Sequence, residues 1–192
     1  MPDTDAPTTP GPQEDVVDLL LAQHARIEQL FLLVIGSTGE TRRDAFDDLV
    51  KLLAAHETAE EEVVHPLART LPGGSDAMVD DRLDEERQAK ETLKTLIAGG
   101  VDADGFDVGI ILLRDAVLTH ARYEERYEFP RLRQHVPADR LRSLATAVRA
   151  AEATAPTRPH PSAQTAKGNL AAGPALAVID RVRDAVRKPS QS

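Results

Sequence analysis

His56-Glu57-Thr58-Ala59-Glu60-Glu61, with His65-Pro66 close behind, and His120-Ala121-Arg122-Tyr123-Glu124-Glu125, with Phe129-Pro130 close behind, are one pattern written twice, 64 residues apart. Each copy reads His-x-x-x-Glu-Glu, then four residues, then Pro. On an α-helix, residues i and i+4 lie one turn apart on the same face. Each copy therefore aims an imidazole and a carboxylate at one point. Two such helices facing each other place two histidines and two carboxylates around a common centre. That is the donor geometry of a metal site inside a helical bundle.

The flanking sequence reads as the rest of that bundle. A first helix starts near Glu14, with Val16, Val17, Leu20, Ile27, Phe31 and Val34 at helical spacing, and ends at Gly36-Ser37-Thr38-Gly39. A second runs from about Thr41 to Arg69 with Phe46, Leu49, Leu53, Val63 and Val64, and Pro72-Gly73-Gly74 turns the chain. Ser75 reads as the N-cap of a third helix, to about Ala98, with Met78, Val79, Leu83, Ala89, Leu93, Leu96 and Ile97 on its apolar face. A fourth runs from about Gly105 to Gln134 with Ile110, Leu113, Val117 and Phe129. Pro66 and Pro130 fall late in the second and fourth helices, where a proline kinks the helix or starts a new segment.

Short loops favour antiparallel neighbours. The predicted fold class is therefore all-α: an antiparallel up-down-up-down four-helix bundle with a C-terminal helical extension. Residues 1–13 read as a disordered tail, rich in Pro and Thr. Residues 14–153 read as the bundle plus a short fifth helix from Pro137 to Ala153. Residues 154–173 form an Ala/Pro linker. Residues 174–192 form an amphipathic tail, with Leu176, Ile179, Val182 and Val186 on one stripe, a candidate contact for a protein partner.

Composition narrows the chemistry. The chain has no cysteine, so disulfides, zinc fingers, iron–sulfur clusters and thiol catalysis are excluded, and any metal must be held by His and carboxylate. A net charge of −9 argues against a nucleic-acid partner. No apolar run reads as a membrane span and no signal peptide is visible, so a cytoplasmic protein is the simplest expectation.

The candidate metal ligands are His24, His56, Glu60, Glu86, His120 and Glu124. His56, Glu60, His120 and Glu124 lie on the apolar stripes of their helices. Burying such groups costs several kcal/mol unless they are paired or bound to metal. His24 shares the stripe of Leu20, Ile27 and Phe31. The third helix has no His, and Glu86 is the polar residue on its inward line, against the alternative that it is one more solvated residue of Asp84-Glu85-Glu86. His65 lies about 180° round an ideal helix from His56, which predicts exposure. Glu61 and Glu125 should flank the site or face solvent, Glu28 should sit near its rim, and Tyr123 and Tyr127 face it as core or as hydrogen-bond partners of ligands. His135 and His160 are expected outside it. Three imidazoles with two or three carboxylates exceed a tetrahedral zinc site and suit two bridged ions, iron or manganese. His56-Glu57-Thr58-Ala59-Glu60 lacks the second His of His-Glu-x-x-His, so a metalloprotease reading fails.

Taken together, these motifs resemble the hemerythrin-like family, the His-His-Glu cation-binding domains, over about residues 14–134. That family's pattern is a His on helix one, His-x-x-x-Glu on helix two, a His on helix three and His-x-x-x-Glu on helix four. His24, His56/Glu60 and His120/Glu124 match in order and spacing, as do Ala22-Gln23-His24 before Phe31 and the Glu-Glu-x-x-x-x-Pro after each pair. The departure is on helix three, where Glu86 aligns with the usual His, or Arg87 if the register slips by one. A Glu can ligate iron and would favour the ferric state; an Arg cannot. The resemblance implies iron, as two ions, or one if the helix-three change weakens the second site.

The function so implied is a non-haem (di)iron protein that binds or senses dioxygen, peroxide or nitric oxide, or iron itself, through a small diatomic or peroxide ligand. No catalytic residue is assigned, and turnover is left open. The alternative is a metal-stabilised interaction or regulatory module with no turnover; a third reading is a bundle whose His and Glu pair without metal.

Overall fold

The computed structural model describes residues 14–72 and 76–154. They form seven α-helices and no strand: α1 (Val16–Gly36), α2 (Gly39–Ala59), α3 (His65–Thr70), α4 (Asp76–Gly99), α5 (Phe106–Tyr123), α6 (Phe129–His135) and α7 (Ala138–Thr154). Single π-helical turns, Glu60–Val64 and Glu124–Glu128, join α2 to α3 and α5 to α6. The two long helices expected on either side of the motifs are therefore continuous in path but interrupted in winding. Tail residues 1–13, the 154–173 linker beyond Thr154, the 174–192 tail and the Ser75 cap lie outside the described residues.

Local chemistry sets the ends. Asp15 caps α1: its side chain accepts from the Asp18 N–H, while Asp18 accepts from the Asp15 N–H. Arg133 of α6 donates to both carboxylates and ties the start of α1 to the end of the second motif helix. Gly100 stops α4 with φ +76°, its N–H returning to the Leu96 carbonyl, a conformation that glycine adopts without strain. α1 packs along α2, α5 and α7, and α4 packs along α5.

Two apolar clusters fix the bundle's direction. One joins Val17 and Leu20 of α1 to Val64 and Leu67, Phe129 and Leu132, and Leu141, Leu144 and Val148 of α7. The other joins Ile27, Phe31 and Val34 of α1 to Phe46, Leu49 and Leu53 of α2, Leu93 and Leu96 of α4, and Phe106, Ile110 and Leu113 of α5. Along the chain, α1 runs from the first cluster to the second, α2 returns, α4 runs toward the second and α5 returns. By their places in the two clusters the four long helices alternate in direction, and α7 packs on the first cluster. α1 is long and apolar enough by length and composition to cross a membrane, but its Val17, Leu20, Ile27 and Phe31 are spent on the bundle core. Between the two clusters, at mid-height, the core turns polar.

Candidate metal centre

All six residues singled out from the sequence are buried and meet in that polar layer: His24 from α1, His56 from α2, Glu60 and Glu124 from the first residue of each π turn, Glu86 from α4, and His120 from α5. Glu60 is 1% and Glu124 0% exposed.

Their donor atoms gather at two poles. At the first, the Nε2 atoms of His24 and His56 are 3.1 Å apart. Glu60 Oε1 lies 3.1 Å from His56 Nε2 and 3.8 Å from His24 Nε2, and Glu124 Oε2 lies 3.5 Å from His24 Nε2. At the second pole, His120 Nε2 stands 3.9 Å from Glu60 Oε2, 3.4 Å from Glu124 Oε1 and 3.8 Å from Glu86 Oε1. Each of Glu60 and Glu124 thus presents one oxygen to each pole.

The outward ring nitrogens are held as well. His56 Nδ1 donates to Gln23 Oε1 at 2.7 Å, His24 Nδ1 to Glu125 Oε1 at 2.8 Å, and His120 Nδ1 to Glu85 Oε2 at 3.2 Å. An Nδ1–H fixed in this way leaves the Nε2 lone pair facing inward, which is how metal-binding histidines are oriented.

Apart from the contact between His24 and His56 Nε2, the atoms at the heart of the layer lack hydrogen-bond partners. Both oxygens of Glu60, both of Glu124, and His120 Nε2 are buried without a hydrogen-bond partner. A buried carboxylate costs several kcal/mol unless it is neutralised. The compensation available within the chain is protonation of the histidines. Burial alone would lower their pKa values, but the carboxylates of Glu124 and Glu60 outweigh it and raise His24 to about 10 and His120 to about 12. Burial would raise Glu60, but His56, His120 and His24 hold it well below the usual carboxylate value. Cations placed at the poles would take those lone pairs and release the protons. The donor set, nitrogen and carboxylate oxygen without sulfur, suits a borderline divalent ion.

A cavity of about 30 Å³ opens beside the centre. His24, His56, Glu60 and His120 form its polar wall and Ile27, Leu53, Ala89 and Val117 its apolar one. A volume of that size accommodates one or two water-sized atoms, not an organic substrate. Glu57 also lines it; burial, opposed by Lys90, lifts its carboxyl to about 7.

Around the centre, some flanking residues stand as expected and others do not. Glu61 is exposed and pairs with Lys90, and Glu28 lines a surface groove with Leu32 and Arg114. Glu125, partly exposed, flanks the site as expected and reaches His24. Arg87 points outward to Asp84, so the helix-three register places Glu86, not Arg87, at the centre. His135 is exposed. Tyr127, expected to face the site, is 41% exposed. His65, expected to be exposed, is 2% exposed, and its Nε2 lies 2.5 Å from Glu86 Oε1. Glu128, which sequence reasoning missed, is 4% exposed with an oxygen 3.8 Å from His65 Nδ1.

The π turns explain all three. A π turn closes its hydrogen bonds one residue later than an α turn, so each following residue lags in angle. His65 donates its N–H to the Glu60 carbonyl, and Phe129 donates to Glu124. The lag swings His65 inward, carries Glu128 onto the inner face and turns Tyr127 away. The only sequence signal was the proline one residue after each π turn's first α-helical residue: its ring crowds the carbonyl four residues earlier, and a widened turn relieves that.

Four antiparallel helices around a buried histidine–carboxylate centre define a metal-cation-binding helical bundle. The hemerythrin HHE cation-binding domain family matches residues 15–132, and the chain belongs to that family. A relative from Nostoc sp. (strain PCC 7120 / SAG 25.82 / UTEX 2576) bearing the name "DNA nickase" is 28% identical over 139 residues, 72% of this chain and 39% of the relative. The chain therefore spans about two-fifths of that relative's length. No solved structure gives a significant match.

Proposed function

We propose that the chain is a non-haem diiron protein that binds or senses a small oxidant or diatomic, dioxygen, peroxide or nitric oxide, with iron sensing as the nearest variant. The observation that carries this reading is the disposition of Glu60 and Glu124. Each carboxylate is buried, free of hydrogen bonds, and has one oxygen turned to each of two histidine-bearing poles. A single ion would leave one oxygen of each uncompensated; a second ion, held at the other pole, would compensate it.

Bound iron would supply an open coordination position and redox electrons to a small ligand. The remaining work belongs to the chain. His24, His56 and His120 face inward because Glu125, Gln23 and Glu85 hold their Nδ1–H groups. Ile27, Leu53, Ala89 and Val117 form the apolar wall of the neighbouring cavity and keep it small. Glu57 places a carboxyl at the cavity wall, where it can hold or yield a proton near neutral pH. The name of the Nostoc relative belongs to a longer protein, of which this chain spans about two-fifths.

The test is iron content with Mössbauer and ultraviolet–visible spectra of the aerobic protein, then anaerobic titration of the reduced protein with nitric oxide. Two irons per chain that respond to nitric oxide support the reading; one iron or none, or no spectral response, refutes it.

A further inference from the structure

The family pattern has a histidine on helix three, and here that position is Glu86, which stands at the second pole. Counting only the six residues above, the first pole has two imidazoles, His24 and His56, and the second has one, His120. The fold brings another nitrogen to that place. His65 stands at the far end of the first π turn with its Nε2 2.5 Å from Glu86 Oε1, the same oxygen that lies 3.8 Å from His120 Nε2. One donor atom of His65 also lies within 4.8 Å of one from Glu124 and one from Glu128.

Orientation argues further. His24, His56 and His120 each turn Nε2 toward the central carboxylates and Nδ1 toward an oxygen outside the centre. His65 repeats the arrangement: Nε2 inward on Glu86, Nδ1 facing Glu128 Oε2 at 3.8 Å. The groups around it are otherwise unused. Glu86 Oε2, both Glu128 oxygens, both Glu124 oxygens and His65 Nδ1 are buried without hydrogen-bond partners. A plain imidazolium–carboxylate pair would satisfy one oxygen of Glu86, whereas a cation at the second pole would also engage Glu86 Oε2 and the Glu124 oxygen on that side, leaving Glu128 to face the His65 Nδ1–H. The formal charge agrees. Glu57 is paired with Lys90 at 3.4 Å; the other buried carboxylates of the layer, Glu60, Glu86, Glu124 and Glu128, carry four negative charges, which two divalent cations would neutralise.

We infer that His65 is a ligand of the second ion, supplied by the helix-two side of the bundle in place of the missing helix-three histidine, with Glu86 as co-ligand and Glu128 as the carboxylate that orients the His65 ring. This rests on the two-ion reading. It predicts two imidazoles at each pole. It also explains how a chain lacking the helix-three histidine keeps its second pole. In the other copy of the repeat the corresponding residue serves differently. Phe129, the counterpart of His65, lies nearly parallel to His24 at the first pole, with ring centroids 5.6 Å apart.

The experiment uses the full chain, wild type and the His65→Gln and His65→Ala variants, loaded anaerobically with iron(II). Metal per chain and Mössbauer spectra are read together. His65→Gln keeps a hydrogen-bond donor for Glu86 but is a poor iron ligand. The expected result is two ions in the wild type and one in both variants, the surviving ion keeping its wild-type quadrupole doublet. Two ions with unchanged doublets in His65→Gln would make His65 a structural partner of Glu86 and overturn the inference while leaving the diiron reading intact. Fewer than two ions in the wild type would overturn both. Should the variants not fold, cobalt(II)-substituted wild type decides the matter by proton NMR. Each ligating imidazole with a protonated Nδ1 gives one strongly shifted exchangeable resonance. Four such signals, from His24, His56, His65 and His120, support the assignment, and three overturn it.

Discussion

Replacing Gln23 with leucine should weaken metal binding by about 10–100-fold, the usual effect of removing the hydrogen-bond partner of a metal-binding histidine. Gln23 holds His56 through a 2.7 Å hydrogen bond and is 7% exposed. Leucine has similar bulk but no acceptor, and water cannot readily take its place at so buried a position. The His56 Nδ1–H is then left unsatisfied, the ring loses its fixed tautomer, and the binding loss corresponds to about 1.4–2.7 kcal/mol. The matched controls are Glu125→Ala at His24 and Glu85→Ala at His120. Those carboxylates are 39% and 41% exposed, so water substitutes for the lost oxygen and only a few-fold weakening is expected. Gln23→Glu keeps the acceptor and should retain wild-type affinity or exceed it. The assay is competition with a chelator of known affinity, alongside a thermal melt of each metal-free variant to separate binding from folding. Unchanged affinity in Gln23→Leu, or a larger loss in Glu125→Ala than in Gln23→Leu, would refute the view that buried partners orient the inward nitrogens.

Removing the metal should lower the melting temperature reversibly, because the ions bind the folded state; at a free concentration about 1,000 times Kd the stabilisation is about 4 kcal/mol, and an unchanged midpoint on adding the ion back would contradict it. The metal-free protein should be most stable near pH 5–6.5. Above that range it loses the stability carried by His24 and His65, whose pKa values rise from 6.5 to about 10, and by His120, raised to about 12. Below it, protonation of Glu60, whose pKa is depressed, removes stability in acid. Urea unfolding at pH 6 and pH 9 checks the alkaline limb, and higher stability at pH 9 would sink it. Ala89→Leu should fill the 30 Å³ cavity, leave metal content unchanged and slow nitric oxide binding; an unaltered stopped-flow rate would place ligand entry elsewhere.

The legible part of this protein was what a regular α-helix can encode. Val17, Leu20, Ile27 and Phe31 fall on the core face of α1 because 3.6-residue spacing needs no tertiary information, and His24 lies on the same face. The two His-x-x-x-Glu pairs were readable for the same reason, since both members lie before the winding changes. Glu86 was harder. It stands in an acidic run, and only its place on the line through Ala89 and Leu93 distinguishes it from Glu85, which is partly exposed, and Arg87, which faces solvent. Errors accumulate beyond Glu60 and Glu124. His65, Tyr127 and Glu128 were each placed, or passed over, by counting at a constant 100° per residue through a stretch that does not keep it.

The change of winding is itself part of the centre. Both π turns begin on a carboxylate that faces both poles, Glu60 or Glu124, and both end directly before a residue–proline pair, His65-Pro66 and Phe129-Pro130. An α-helix presents one residue inward per turn along a stripe, enough for a His and a Glu but not for a third donor at the same height. The wider turn brings a further residue to that level: His65 beside Glu86 on one side, Phe129 against His24 on the other. A proline at that position would be a fault in a uniform helix, costing a hydrogen bond and crowding a carbonyl. Here its effect falls where the wider turn is used. The two halves of the repeat share the device but differ in the residue it delivers, a donor in one and an apolar ring in the other. That asymmetry makes the two poles chemically distinct even though the helices that build them carry the same motif.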